Sequence, residues 1–130
     1  MTRSTTGVSL VRAADMRLPA MTTPGMDRRE AFDHDGVWAG TVRTADGVVT
    51  GWHVHAGHDT YIYVVSGSAT VESGPGGRDR TQAEAGDFVL IPRGLVHREG
   101  TAAGSNGVEA VLVRVGEGEI VTNVDGPEPG

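Results

Sequence analysis

Residues 51–67 read Gly51-Trp52-His53-Val54-His55-Ala56-Gly57-His58-Asp59-Thr60-Tyr61-Ile62-Tyr63-Val64-Val65-Ser66-Gly67. Three of the five histidines in the chain fall within six of these residues. His53 and His55 are spaced i, i+2, which on a strand turns both rings to one face. Two imidazoles on one face, away from any acidic run, suit a borderline transition metal; the alternative is a surface cluster on a strand edge. The same period of two puts Thr60, Ile62 and Val64 on one side and Tyr61 and Tyr63 on the other, where the tyrosines pack under a neighbouring segment or a second chain. Trp52 and Val54 face away from His53 and His55. An outward tryptophan with two tyrosines on adjacent strands predicts an apolar patch covered by a second subunit or an N-terminal strand.

Outward from this stretch the chain reads as strands. Its 130 residues include 18 valines against 5 leucines, and 20 glycines. Valine fits a pleated, half-buried surface, and frequent glycine punctuates short strands. Turn signals divide the sequence into strands at 37–43, 48–55, 60–65, 69–72, 80–83, 88–91, 96–99 and 108–115. Short strands with regular turns imply an all-β sandwich or barrel of one domain. Residues 1–36 form an N-terminal arm with one strand at 8–12 and a loop at 18–26. The best helical segment, 27–32, amounts to one or two turns. Residues 37–118 form the barrel, and 119–130 a frayed tail ending in Gly-Pro-Glu-Pro-Gly.

A second motif lies downstream, where Gly86 to His97 reads G-D-F-V-L-I-P-R-G-L-V-H. Together the two stretches resemble the cupin superfamily. Its first motif is His-X-His, a glutamate four residues on, and a glycine after six more; its second is Gly, five residues, Pro-X-Gly, two residues and His, usually followed by Asn. The second motif matches at Gly86, Pro92, Gly94 and His97, and the first at His53, His55 and Gly67. The resemblance implies a double-stranded β-helix, or jelly roll, with a metal in the barrel mouth. It implies that His97 lies beside His53 and His55 so that the three rings converge. Gly86 and Gly94 are expected at tight turns with no room for a side chain, and Pro92 at the corner before His97.

The chain departs from that pattern at Thr60, where the family's carboxylate ligand belongs, and at Thr101, where its asparagine belongs. Three states of the site follow. Three imidazoles hold the metal alone; or His58 adds a fourth nitrogen; or metal binding is lost and the pocket only binds a ligand. His58 otherwise reads as a turn histidine bonded to Asp59, and His34 as a solvated loop residue. Glu99, two residues past His97, is the candidate to support a metal ligand from behind or to act as general base, or else a rim carboxylate facing Arg98 or solvent. Thr60, Ile62 and Thr101 are expected to line the pocket.

Composition narrows the chemistry. Cysteine is absent, which removes disulfides, thiolate metal sites and thiol nucleophiles. Lysine is absent too, which removes Schiff-base chemistry. A net charge of -6 offers no basic footprint for nucleic acid. No apolar run approaches the roughly 20 residues of a membrane helix, and the reading is a cytoplasmic protein. The resemblance implies a small metal-dependent enzyme acting on a small oxygenated organic molecule. An oxygenase or dioxygenase using Fe(II) leads. A non-redox isomerase, lyase or cyclase follows, and then a non-catalytic ligand-binding barrel; Zn(II), Ni(II), Mn(II) and Cu(II) are the other candidate ions. A homodimer is expected.

Overall fold

The computed structural model describes residues 7–19 and 23–129. Among the described residues nine strands form: β1 (Met26–His34), β2 (Val37–Thr44), β3 (His53–Val54), β4 (His58–Ser73), β5 (Asp79–Glu84), β6 (Phe88–Ile91), β7 (Arg98–Gly100), β8 (Val108–Gly116) and β9 (Thr122–Asn123). The helical pieces among the described residues are two 3-10 turns of three residues each. None of these helices is long and apolar enough to cross a membrane.

The 16-residue β4 organises the barrel. Its first half pairs antiparallel with β6 and β8, and its second half with β5 and β7. The change of partners follows a bulge between Val64 and Ser66, next to Gly67 at φ +82°. A side chain at Gly67 would also strike the Gly107 carbonyl, since a Cβ there would lie 2.1 Å from its oxygen. The turn expected at Ser66-Gly67 is therefore a bend within one strand, because the ladder to β8 continues through it. β2 pairs with β8 and β1 with β2, giving the order β1-β2-β8-β4-β5. The result is an all-β jelly roll.

Alternation along β4 sorts the side chains as its period predicts. His58, Thr60, Ile62 and Val64 are buried, while Tyr61, Tyr63 and Val65 are exposed. Of the inward row, Ile62 packs with Trp38, Val42, Val71, Ile91 and Leu112, and Val64 with Ala83 and Val108.

Three expectations fail for identifiable reasons. Residues 27–32 belong to β1, because Asp27 to Phe32 pair across to Arg43 through Ala39; tertiary pairing overrides a weak local preference for helix. Residues 8–12 form no strand; Val8 and Leu10 are exposed, and the chain runs extended into a 3-10 turn at Ala13–Asp15. The tail is docked rather than frayed: Thr122 and Asn123 pair with Val54 and His53, and Glu128 O accepts from Gly76 N at 2.8 Å. The expected loop at 18–26 falls partly on residues 20–22, outside the described residues.

Candidate metal centre

The backbone brings the two motifs together before any side chain acts. His53 and His97 face each other across a bridge in which each N–H donates to the other's carbonyl at 2.9 Å. Glu99 O accepts from Thr50 N at 2.8 Å, and Thr101 N donates to Val48 O at 2.9 Å. Residues 48–53 thus run antiparallel to 97–101, although only short pieces form regular strand. The turn after Pro92 is pinned from the first motif: Gly94 N donates to His55 O at 3.1 Å, and Arg93 N donates to the Asp59 carboxylate at 2.9 Å. Gly86 and Gly94 stand at φ +93° and +80°. The space at a Cβ of either residue is open. The turns therefore demand their backbone angle, not the lack of room expected from the sequence.

His53, His55 and His97 converge: one ring nitrogen from each lies within 4.8 Å of the others. All three residues are buried. The ring centroids are 4.3 Å apart for His53 and His97, and 5.1 Å for each of the other two pairs. Each Nδ1 meets a backbone carbonyl: Gly51 O at 2.8 Å for His53, Leu95 O at 3.0 Å for His97, and Ile120 O for His55. A carbonyl oxygen can only accept, so each Nδ1 carries its proton and donates. In the neutral rings the Nε2 atoms are then bare lone pairs, turned toward one another. The Nε2 atoms of His55 and His97 are buried without a hydrogen-bond partner. Orphaned acceptors of this kind fit a cation, and the carbonyls that fix the rings are the outer support typical of metal-bound histidine.

Glu99 joins this centre. It lies on the same side as His97, two residues on, and is held in β7 opposite Val71. Its carboxylate oxygens lie 3.7 Å from His53 Nε2 and 4.0 Å from His97 Nε2. It faces the histidine rings rather than Arg98, which pairs with Glu72 at 2.9 Å. Burial would raise the Glu99 pKa, but contact with His53 and the charges of His97, His53 and His55 outweigh it and hold it at about 2. Burial likewise would lower His53, yet the Glu99 carboxylate and the Gly51 carbonyl raise it overall. Burial wins for the other two rings. It lowers His55 to about 4, against the Ile120 carbonyl and aided by the charge of Arg114, and it lowers His97 as well.

The remaining expected site residues divide. Thr60 is 2% exposed and points inward, with its hydroxyl unpartnered. Ile62 lines an apolar cavity of about 40 Å³ that reaches Glu99 and Arg28. Thr101 does not line a pocket. Its hydroxyl donates to Ala45 O at 2.6 Å and accepts from Val48 N at 3.3 Å, locking the loop beside the 48–53 segment. His58 stands outside the three-nitrogen cluster. It begins β4 opposite Gly116 and lines a polar cleft of about 320 Å³ with Trp38, Asp33 and Ile120, its Nδ1 buried and unpartnered. A turn at Ala56–Gly57 leads into it, and as the first residue of β4 it is buried on the Thr60 face, yet its ring sits in that cleft and not among the three nitrogens. His34, read as a loop residue, ends β1.

One residue escaped the sequence reading. Arg114 is 5% exposed, its guanidinium lies 4.9 Å from the Trp38 ring, and its Nε has no acceptor. It pairs in register with Thr60 across β4 and β8. Burial lowers its pKa to about 10. An arginine amid the alternating valines of β8 was the available signal.

The cupin domain model matches residues 40–114, more than half of the chain. The chain belongs to the cupin family. Among solved structures it is similar to the polyketide cyclase RemF from Streptomyces resistomycificus, with TM-score 0.73 and 23% identity over 91% of this chain and 86% of that one. It is similar to a protein with a double-stranded β-helix domain from Klebsiella pneumoniae, with TM-score 0.69 and 19% identity over 91% and 98%. It is similar also to an oxalate decarboxylase of Bacillus subtilis, with TM-score 0.69 and 21% identity over 85% of this cupin and 31% of that chain. At these identities what is shared is the fold. No curated protein matches the chain.

Proposed function

We propose that this cupin is a metal-dependent enzyme acting on a small oxygenated organic molecule. One observation carries the reading: three ring nitrogens, each fixed as an acceptor by a carbonyl behind it, converge beside a carboxylate in the barrel. His53, His55 and His97 would hold one divalent transition-metal ion, which when bound supplies Lewis-acid polarisation of a substrate oxygen.

The chain's own groups define the rest of the site. Arg114 and Thr60 offer donors from neighbouring positions on β8 and β4. A carboxylate or enolate oxygen would satisfy both, and burial strengthens the contact. The apolar walls near Glu99 exclude water from that side. A buried cation that stabilises developing negative charge suits a non-redox isomerase, lyase or cyclase. The likeness to a polyketide cyclase agrees with this reading. The oxygenase reading, with Fe(II), is favoured by His58 lying outside the cluster, which leaves more coordination positions free. Metal analysis of protein purified without chelator comes first. β-Dicarbonyl and polyphenolic acids are then screened with and without oxygen. Anaerobic turnover supports the non-redox reading, oxygen-dependent turnover the oxygenase. Failure to bind any of Fe(II), Zn(II), Ni(II), Mn(II) or Cu(II) leaves only the ligand-binding barrel.

A homodimer through the outer face of the main sheet forms part of the proposal. Tyr61, Tyr63, Val65, Phe88, Leu90 and Val111 are exposed there on adjacent strands, with the Tyr63 and Phe88 rings 4.8 Å apart. Trp52 lies elsewhere, under Arg98 at 4.5 Å and against Gly126 of the tail. Tyr63→Arg should turn a concentration-independent dimer into a monomer in sedimentation; a wild-type monomer at high concentration removes the idea.

A further inference from the structure

We infer that Glu99 is the metal-binding carboxylate of this barrel, taking the place of the glutamate that the family motif puts at Thr60. The inference rests on the metal-dependent reading above and assigns the fourth ligand of that site. Thr60 cannot fill the role: its side chain is short, neutral and inward, and its hydroxyl has no hydrogen-bond partner. The carboxylate instead arrives from β7. His97 and Glu99 are i, i+2, so the strand that delivers the third imidazole delivers the acid to the same face.

Two distances fit. Ligand atoms about 2.1 Å from one ion stand about 3 Å apart when adjacent and about 4 Å apart when opposite. Glu99 lies 3.7 and 4.0 Å from the His53 and His97 nitrogens, while the set that closes within 4.8 Å comprises the three rings alone, so the carboxylate must swing toward His55 to complete the site. The chemistry of the partners points the same way. Among the described residues the ionic contacts of Glu99 are those two imidazoles. Both rings donate through Nδ1 to carbonyls, so in their neutral form they turn lone pairs toward the carboxylate. With the rings neutral, these acceptors have no donor between them, an arrangement that a cation satisfies. A carboxylate ligand also halves the charge left by three neutral imidazoles around a divalent ion.

Zn(II) affinity, measured by competition with a chromophoric chelator, and the visible spectrum of the Co(II) form test this on wild type, Glu99→Gln, Glu99→Asp and the pair Glu99→Gln with Thr60→Glu. Glu99→Gln should weaken Zn(II) by more than the roughly 10–100-fold typical of an outer partner. It should also change the Co(II) bands. Adding Thr60→Glu should restore Zn(II) affinity to within about tenfold of wild type, because the acid returns from β4 to the same point. If Glu99→Gln does not fold, Glu99→Asp carries the test: the charge stays but the reach is shorter, so the Co(II) bands must still shift. Unchanged bands and affinity within about tenfold of wild type in a folded Glu99 variant overturn the inference while leaving the three-histidine metal site standing. A wild-type protein that binds neither ion overturns both.

Discussion

The two motif segments of this barrel contribute unequally. The first, 53–67, supplies two imidazoles on one strand face and then, at Thr60, stops short of the acid its pattern calls for. The second, 86–99, keeps its glycines, proline and histidine in place and, just past the pattern, adds Glu99 beside two of the same rings. A ligand set belongs to a point in space, and several strands reach that point. In this barrel an acid missing from β4 would be replaceable from β7: Glu99 pairs with Val71 in the far half of β4, and the bridge between residues 50–53 and 97–99 brings it beside the rings.

The sharpest way to break the comparison is to remove a ring from either segment. His55→Ala from the first and His97→Ala from the second should each cost well over the ~100-fold expected for an outer partner, measured as Zn(II) affinity. Comparable losses mean that both segments supply ligands; a small loss for one assigns the site to the other. Next in size is the tail. Removing residues 119–130 takes away the Ile120 carbonyl that fixes the His55 ring and uncovers Trp52. Zn(II) affinity should fall about 10–100-fold, and tryptophan emission should shift to the red. Unchanged emission would mean that the tail does not dock.

pH separates the segments differently. His55 is held at about 4 and His97 is lowered, against 6.5 in the unfolded chain. The unfolded state therefore binds more protons as pH falls below 6.5, and metal-free stability declines toward pH 4.5. His53, whose pKa is raised, has completed its opposite contribution above that window. Glu99, held at about 2, loses its contribution only below about 4.5. Urea unfolding at pH 7 and 4.5 should differ by on the order of 2 kcal/mol. His97→Ala should shrink the difference, and an unaltered difference would place the proton uptake elsewhere. The smallest expected effect is His58→Ala. It should change Zn(II) affinity less than about threefold, since the residue lies outside the cluster. A loss near that of His55→Ala would restore a four-histidine site.

The sequence alone was enough for the family and for the three histidines that converge. Spacing made His53 and His55 neighbours on one face, the second motif placed His97, and period-two alternation sorted Thr60 and Ile62 from Tyr61 and Tyr63. These are local consequences of strand geometry, readable without knowing which strand pairs with which. Pairing decided the rest. Residues 27–32 became strand because β2 lay open beside them, and the tail became part of the site because Ile120 offers its carbonyl to His55. His58 was placed in the cleft beside Trp38 and Asp33, Thr101 was taken up in locking a loop, and Arg114 was buried opposite Thr60. Whether Glu99 faced solvent, Arg98 or the histidines depended on the bridge between residues 50–53 and 97–99. That bridge joins segments more than 40 residues apart, and no spacing within either one encodes it.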